Sequence, residues 1–235
     1  MSIKMKKQKT GLTKYIQYSC TVITEGKETA FFKSIPVFIK DPLPETVSIN
    51  ATLRAVERII PRRMVSNIEM VYVGQFKDFA ERDINAMYEG GTLYISNEQD
   101  DEEDMVDDLV HEISHAVEEQ YGMQIYGDGE LHIEFLKKRK KLYQLLKAYD
   151  YPVEYKDFMN SEYDKEFDNL LYKEIGYDKL EHFTMGLFPS NYAVTSLKEY
   201  FGIGFEHYYL KNRRELGIMS PVLFQKLEEI NEEEE

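Results

Sequence analysis

Apolar and polar residues alternate along Tyr15–Thr24 and again along Glu28–Ile39, on either side of Glu25-Gly26-Lys27. A period of two marks a half-buried strand, and a short glycine-containing connection joins two such runs into a hairpin. Pro42 and Pro44 then interrupt the chain. Over Glu45–Ile60 the period changes. Ile49, Leu53, Val56 and Ile60 recur at spacings of four, three and four, which places them on one helical face, and Pro61 stops the helix. Ile68–Gly74 (IEMVYVG) reads as a buried strand, and Asp83–Ser96 as a second hairpin with Gly90-Gly91 at its tip.

From Asp100 onward the pattern is helical. Val106, Leu109, Val110, Ile113 and Val117 form an apolar stripe along Asp100–Gly122, and the acidic start DDEED suits the positive end of a helix dipole. Glu130 to about Asp178 predicts several charged, aromatic-rich helices. Leu131, Phe135, Leu136, Leu142 and Leu145 supply a core face there, and Lys137-Lys138-Arg139-Lys140-Lys141 reads as a basic run on the exposed side. Asn191–Leu210 predicts a long helix, and Ser220–Ile230 a last one with Ser220 as cap and Pro221 at its first position. Together these elements predict an α+β fold with a small sheet and a helical C-terminal part.

Composition narrows the class. The chain has 235 residues, 43% apolar and 31% charged, which fits a folded globular protein and excludes collagen-like or wholly disordered ones. Cys20 is the only cysteine, so no internal disulfide forms. The formal net charge of −14 argues against a nucleic-acid partner, which selects a basic face. Nothing approaches the roughly 18 consecutive apolar residues of a membrane-spanning helix, and the basic start lacks the apolar run of a secretory signal. The expected address is therefore the cytoplasm, with no membrane partner. Residues 1–44 are expected to hold a basic arm and the first hairpin, 45–227 the main domain with a helical insertion at about 130–178, and 228–235 an acidic tail.

The chemistry lies in His111-Glu112-Ile113-Ser114-His115, an HExxH motif on the expected helix. Residues i and i+4 share a helical face, so both imidazoles can reach one ion. Neutral histidine nitrogens suit Zn²⁺, and Glu112, beside the first ligand, is placed to act as general base on a metal-activated water. A catalytic zinc site needs a third protein ligand. Glu134, 19 residues beyond His115, stands near the place where thermolysin-like enzymes carry theirs, although the acid they carry four residues later is Lys138 here. Seven residues separate Tyr192 from Glu199, nearly two helical turns, so the two are expected on one face of a continuous helix. Gly202 and Gly204 would let that helix approach the HEISH helix closely. His132 and His207 read as surface residues and His182 as a core or hydrogen-bonded one.

Tyr192, followed by Glu199-Tyr200-Phe201 and closed by Phe205, resembles the last active-site helix of the anthrax lethal factor family and the related Pro-Pro endopeptidases. The resemblance covers Ile68–Gly122 and Phe188–Ile230, and not the first 40 residues or the insertion. It implies a zincin-like metallopeptidase domain, one Zn²⁺ per chain held by His111, His115 and Glu199, and a phenol at Tyr192 that helps polarise the scissile carbonyl. The implied activity is hydrolysis of peptide bonds in a protein or peptide substrate. Two departures stand out. The family's second glutamate falls on Ile203, and the 84 positions from His115 to Glu199 exceed the family's gap, which locates an insertion at Glu130–Asp178. Asn85-Ala86-Met87-Tyr88, 26 residues before His111, weakly resembles the edge strand on which thermolysin-like enzymes bind peptide, and is the expected substrate strand. The alternative is a non-catalytic structural or binding protein, such as a virion or assembly component, that keeps the fold.

Overall fold

In a computed structural model of the chain, the described residues are 29–77, 79 and 84–232. The basic arm, the expected strand Tyr15–Thr24 with Cys20, and the last three glutamates lie outside them. The described residues form two compact units, one from 29–55 and 68–108, the other from 56–67 and 109–232. The fold is α+β.

The first unit carries a mixed sheet of five strands, β1 (Thr29–Phe32), β2 (Ile35–Ile39), β3 (Met70–Val73), β4 (Ala86–Glu89) and β5 (Thr92–Ile95). Their order is β1-β2-β3-β5-β4. Glu28–Ile39 is therefore a hairpin and not one strand. The chain reverses at Lys33-Ser34, both at positive φ (47° and 81°), and Phe32 pairs with Ile35. A two-residue hairpin turn of this kind normally announces itself with Asn or Gly, and here neither is present, so alternation ran through the turn unmarked. The second hairpin turns at Gly90-Gly91 as expected, with φ of 56° and 84°.

β2 and β3 are parallel. Parallel neighbours need a crossover, supplied by α1 (Ile49–Ile59). The helix starts at Ile49, where the apolar spacing begins, and not at Glu45, because Ser48 caps it, accepting from the Ala51 amide at 3.4 Å. One face of the sheet carries an aromatic row. Phe38, Tyr72 and Tyr94 are register partners, with ring centroids 5.2 and 5.9 Å apart. Phe76 and Phe79 close over it. Val37, Val71, Val73, Leu93 and Ile95 are fully buried on the sheet's other face. Burial on both faces is what parallel pairs require.

α2 (Glu102–Tyr126) gives its first turns to the first unit and the rest to the second. Asp101 caps it, accepting from the Glu103 and Asp104 amides at 2.8 and 3.0 Å. It runs past Gly122, with Ile125 fully buried beyond the glycine. The second unit continues with α3 (Glu130–Ala148), α4 (Tyr155–Phe158), α5 (Lys165–Asn169) leading into a π-helical stretch Leu170–Ile175, and α6 (Tyr177–Thr184). A 3-10 turn at Tyr192–Val194 precedes α7 (Leu197–Leu210), α8 (Arg213–Met219) and α9 (Pro221–Glu232). No helix among the described residues is long and apolar enough to cross a membrane.

Several expectations need correction. The basic run is not wholly exposed: Lys138 and Arg139 are buried. Lys138 Nζ donates to the carbonyls of Leu187 (2.6 Å) and Met219 (2.7 Å), the latter ending α8. Arg139 donates to the carbonyls of Asn160 and Asp157, each at 2.6 Å, and lies 4.1 Å from the centre of the Phe167 ring. Long cationic side chains thus tie α3 to backbone carbonyls of later segments. Leu145, expected in the core, is exposed, as is His182. The helix expected from Asn191 breaks at Ser196, whose Oγ accepts from the Glu199 amide at 3.1 Å and caps α7. The expected acidic tail begins inside α9, where Glu228 accepts a hydrogen bond from the Tyr208 hydroxyl.

Candidate metal centre

The HEISH motif lies mid-helix in the second unit, where an unbroken backbone ladder fixes its geometry. Ile113 and Ser114 face inward with no exposure, and this turns His111, Glu112 and His115 to the other side. Among the described residues, these three form one group able to hold a metal ion, with one ligand atom from each lying within 4.8 Å of the others. The two imidazoles meet edge to face, 5.0 Å between centroids at 84°.

α7 brings the next carboxylate. Glu199 Oε2 lies 3.2 Å from His111 Nε2, is buried, and makes no hydrogen bond of good geometry. A buried carboxylate oxygen without a hydrogen-bond donor is costly, and a cation shared with the imidazole is the partner such an atom suits. Histidine nitrogens with a carboxylate form a donor set that fits zinc. The close approach of α7 has a visible cause at Gly202, where a Cβ would sit 3.1 Å from both His111 Cε1 and Ser114 Oγ. Gly204 serves another contact: its Cβ would collide with Leu223 of α9.

Two further carboxylates reach the far side of the rings. Glu206 Oε1 is 2.5 Å from His111 Nδ1, and Glu118 Oε2 is 2.7 Å from His115 Nδ1. The Tyr126 hydroxyl donates to the other oxygen of Glu118. Neither acid belongs to a motif in the sequence, but spacing marks both: Glu206 follows Glu199 by seven residues and Glu118 follows His115 by three, the spacings of a shared helical face. Burial lowers the pKa of both histidines, yet the carboxylates outweigh it. The nearby carboxylates of Glu199 and Glu206 raise His111 well above the ordinary imidazole value, and Glu118, with the charge of Glu112, raises His115. Four carboxylates, Glu112, Glu118, Glu199 and Glu206, thus surround the two imidazoles.

The other expected residues are placed as follows. Tyr192 lies in the 3-10 turn and not on the helix of Glu199, so helical periodicity does not relate the two. The phenol is still close enough to feel the carboxylate: partial burial and then the charges of Glu199 and Asp168 raise its pKa, and it remains 36% exposed. Two insertion residues hold this segment. Ser161 accepts from the Leu197 amide at 2.8 Å, and the Tyr177 carbonyl accepts from Asn191 Nδ2 at 3.5 Å. Glu134 is engaged elsewhere. Its carboxylate accepts from the Tyr200 hydroxyl (2.8 Å) and from the Val222 and Leu223 amides (2.9 and 3.2 Å), which caps the start of α9. Asn85 precedes β4, and Ala86, Met87 and Tyr88 lie in it; β4 pairs only with β5 among the described residues.

Comparison with protein-family models, with curated proteins and with solved structures gives no match for this chain.

Proposed function

We propose that the chain is a zinc metalloendopeptidase with a zincin-like domain, related in its site to the lethal factor and Pro-Pro endopeptidase pattern. The observation that carries the reading is Glu199. It stands 84 positions beyond His115 in the sequence, yet its buried Oε2 lies 3.2 Å from His111 Nε2. His111, His115 and Glu199 would hold the ion. Zinc, when bound, polarises a carbonyl oxygen and acidifies a water.

Glu112 is the general base. It takes a proton from the attacking water and delivers it to the leaving amine. Tyr192 stays protonated across the working range, because its pKa lies above the ordinary phenol value, and its hydroxyl can donate to an oxyanion as charge develops there. The partial exposure of Tyr192 leaves it open to substrate. We assign Asn85, Ala86, Met87 and Tyr88 the role of substrate strand, on the weak resemblance of this segment to the peptide-binding strand of thermolysin-like enzymes.

The test is cleavage of a randomised peptide library by the zinc-loaded chain and by Glu112→Gln. Cleavage by the first and not by the second supports the reading. No cleavage by either favours a structural or binding protein, and cleavage that survives in Glu112→Gln rejects the mechanism.

A further inference from the structure

We propose that Glu206 and Glu118 are positioning residues of the metal centre, each setting the tautomer and ring orientation of one histidine ligand. The inference rests on the reading of His111, His115 and Glu199 as ligands. It concerns two acids that the family resemblance does not assign, since the second glutamate of that pattern falls on Ile203.

A neutral imidazole carries one N–H and one lone pair. When Nδ1–H donates to a carboxylate, Nε2 keeps the lone pair and becomes the ligand atom. Both rings are arranged in this way. His111 Nδ1 donates to Glu206 at 2.5 Å and His115 Nδ1 donates to Glu118 at 2.7 Å, while His111 Nε2 faces Glu199. The two acids are withdrawn from solvent, with side chains 9% and 8% exposed.

Each acid is itself held. Glu118 lies one turn beyond His115 on α2 and has both oxygens in use, one on His115 and one on the Tyr126 hydroxyl. The Tyr126 ring packs against Phe201 of α7, 6.3 Å between centroids. Glu206 shares α7 with Glu199. A displacement of α7 therefore moves a ligand and the group that orients its neighbour together. The competing explanation is that these are buried ion pairs that serve only the fold. It makes a different prediction, because a buried pair contributes little to stability unless its geometry is good and has no reason to follow metal affinity.

The experiment uses the full chain and zinc alone as probe. Zinc affinity is measured by competition with a chelator for wild type, Glu206→Leu, Glu206→Gln, Glu118→Leu and Glu118→Gln, and thermal unfolding of the metal-free forms is followed in parallel. Each Leu variant should bind zinc about 10–100-fold more weakly. Each Gln variant, whose amide oxygen can still accept the Nδ1–H, should fall between Leu and wild type. Zinc affinity within twofold of wild type in folded Leu variants would overturn the proposal and leave the metallopeptidase reading in place. Should a Leu variant fail to fold, the Gln variant decides by the same criterion. Absence of zinc from the wild type itself would remove the ligand assignment, and this inference with it.

Discussion

Glu199 and Glu206 stand seven residues apart on α7 and meet opposite nitrogens of one ring, Glu199 at His111 Nε2 (3.2 Å) and Glu206 at His111 Nδ1 (2.5 Å). Seven residues span nearly two helical turns, so both carboxylates leave the same face of α7. Gly202, between them, lets that face lie against α2.

Adding a methyl group at Gly202 tests this packing. A Cβ there would press on His111 and Ser114 at 3.1 Å, and overpacking of a tight contact costs about 1–3 kcal/mol. Gly202→Ala should lower stability and weaken zinc retention. Gly217→Ala is the control. Its Cβ would meet Phe224 at an ordinary 3.4 Å, and replacing a helical glycine gains roughly 0.5–1 kcal/mol. Denaturant unfolding and zinc titration of both variants check the pair.

The two catalytic assignments separate by kinetics. Glu112→Gln should retain zinc and lose turnover, because the amide cannot accept the proton. Tyr192→Phe should lower kcat more than it raises KM, since its donor is used only as the oxyanion forms. A rise in KM at unchanged kcat would make Tyr192 a binding residue instead.

Lys138 gives a pH dependence away from the metal centre. Burial pushes its amine down to about 8, against the charge of Glu134, which pulls it up, and with that of Lys141, which adds to the fall. In the unfolded chain it titrates at its ordinary value of 10.5. Between these values the unfolded chain binds more protons, so stability rises with pH, and the cost of burying the ammonium is felt in full below the lower value. Unfolding of wild type and Lys138→Met should show the difference moving in favour of wild type by on the order of 2 kcal/mol between about pH 7 and about pH 9.5. A difference that stays flat would mean the buried ammonium keeps its ordinary pKa.

The β1–β2 turn can be improved. Lys33 and Ser34 adopt positive φ, a conformation that Asn and Gly adopt at less cost. Replacing the pair by Asn-Gly should stabilise the chain by about 1 kcal/mol, read from the urea midpoint. No change would show that the native residues carry no strain there.

The legible parts of the fold were those written locally. The apolar stripe of α2 and the Gly90-Gly91 turn each depend on neighbours a few residues away, and the HEISH spacing needs only one helical turn. Glu199 is legible through its pattern with Tyr192, although the two do not share a helix. Ser196-Leu197-Lys198-Glu199 is a helix-start signature and marks the break that separates them. The burial of Lys138 and Arg139 is not legible locally, because the carbonyls they donate to lie 18 to 81 positions away. Glu134 was a plausible ligand by distance along the chain, and only the fold shows it committed to the start of α9.

Bound metal per chain, measured side by side for wild type and Glu199→Ala after zinc loading and dialysis, tests the central claim most directly. The account predicts one zinc in wild type and marked loss in the variant, because Glu199 Oε2 is the buried carboxylate oxygen beside His111 Nε2. Equal retention by both would remove Glu199 from the ligand set. No zinc in the wild type would contradict the metal centre itself.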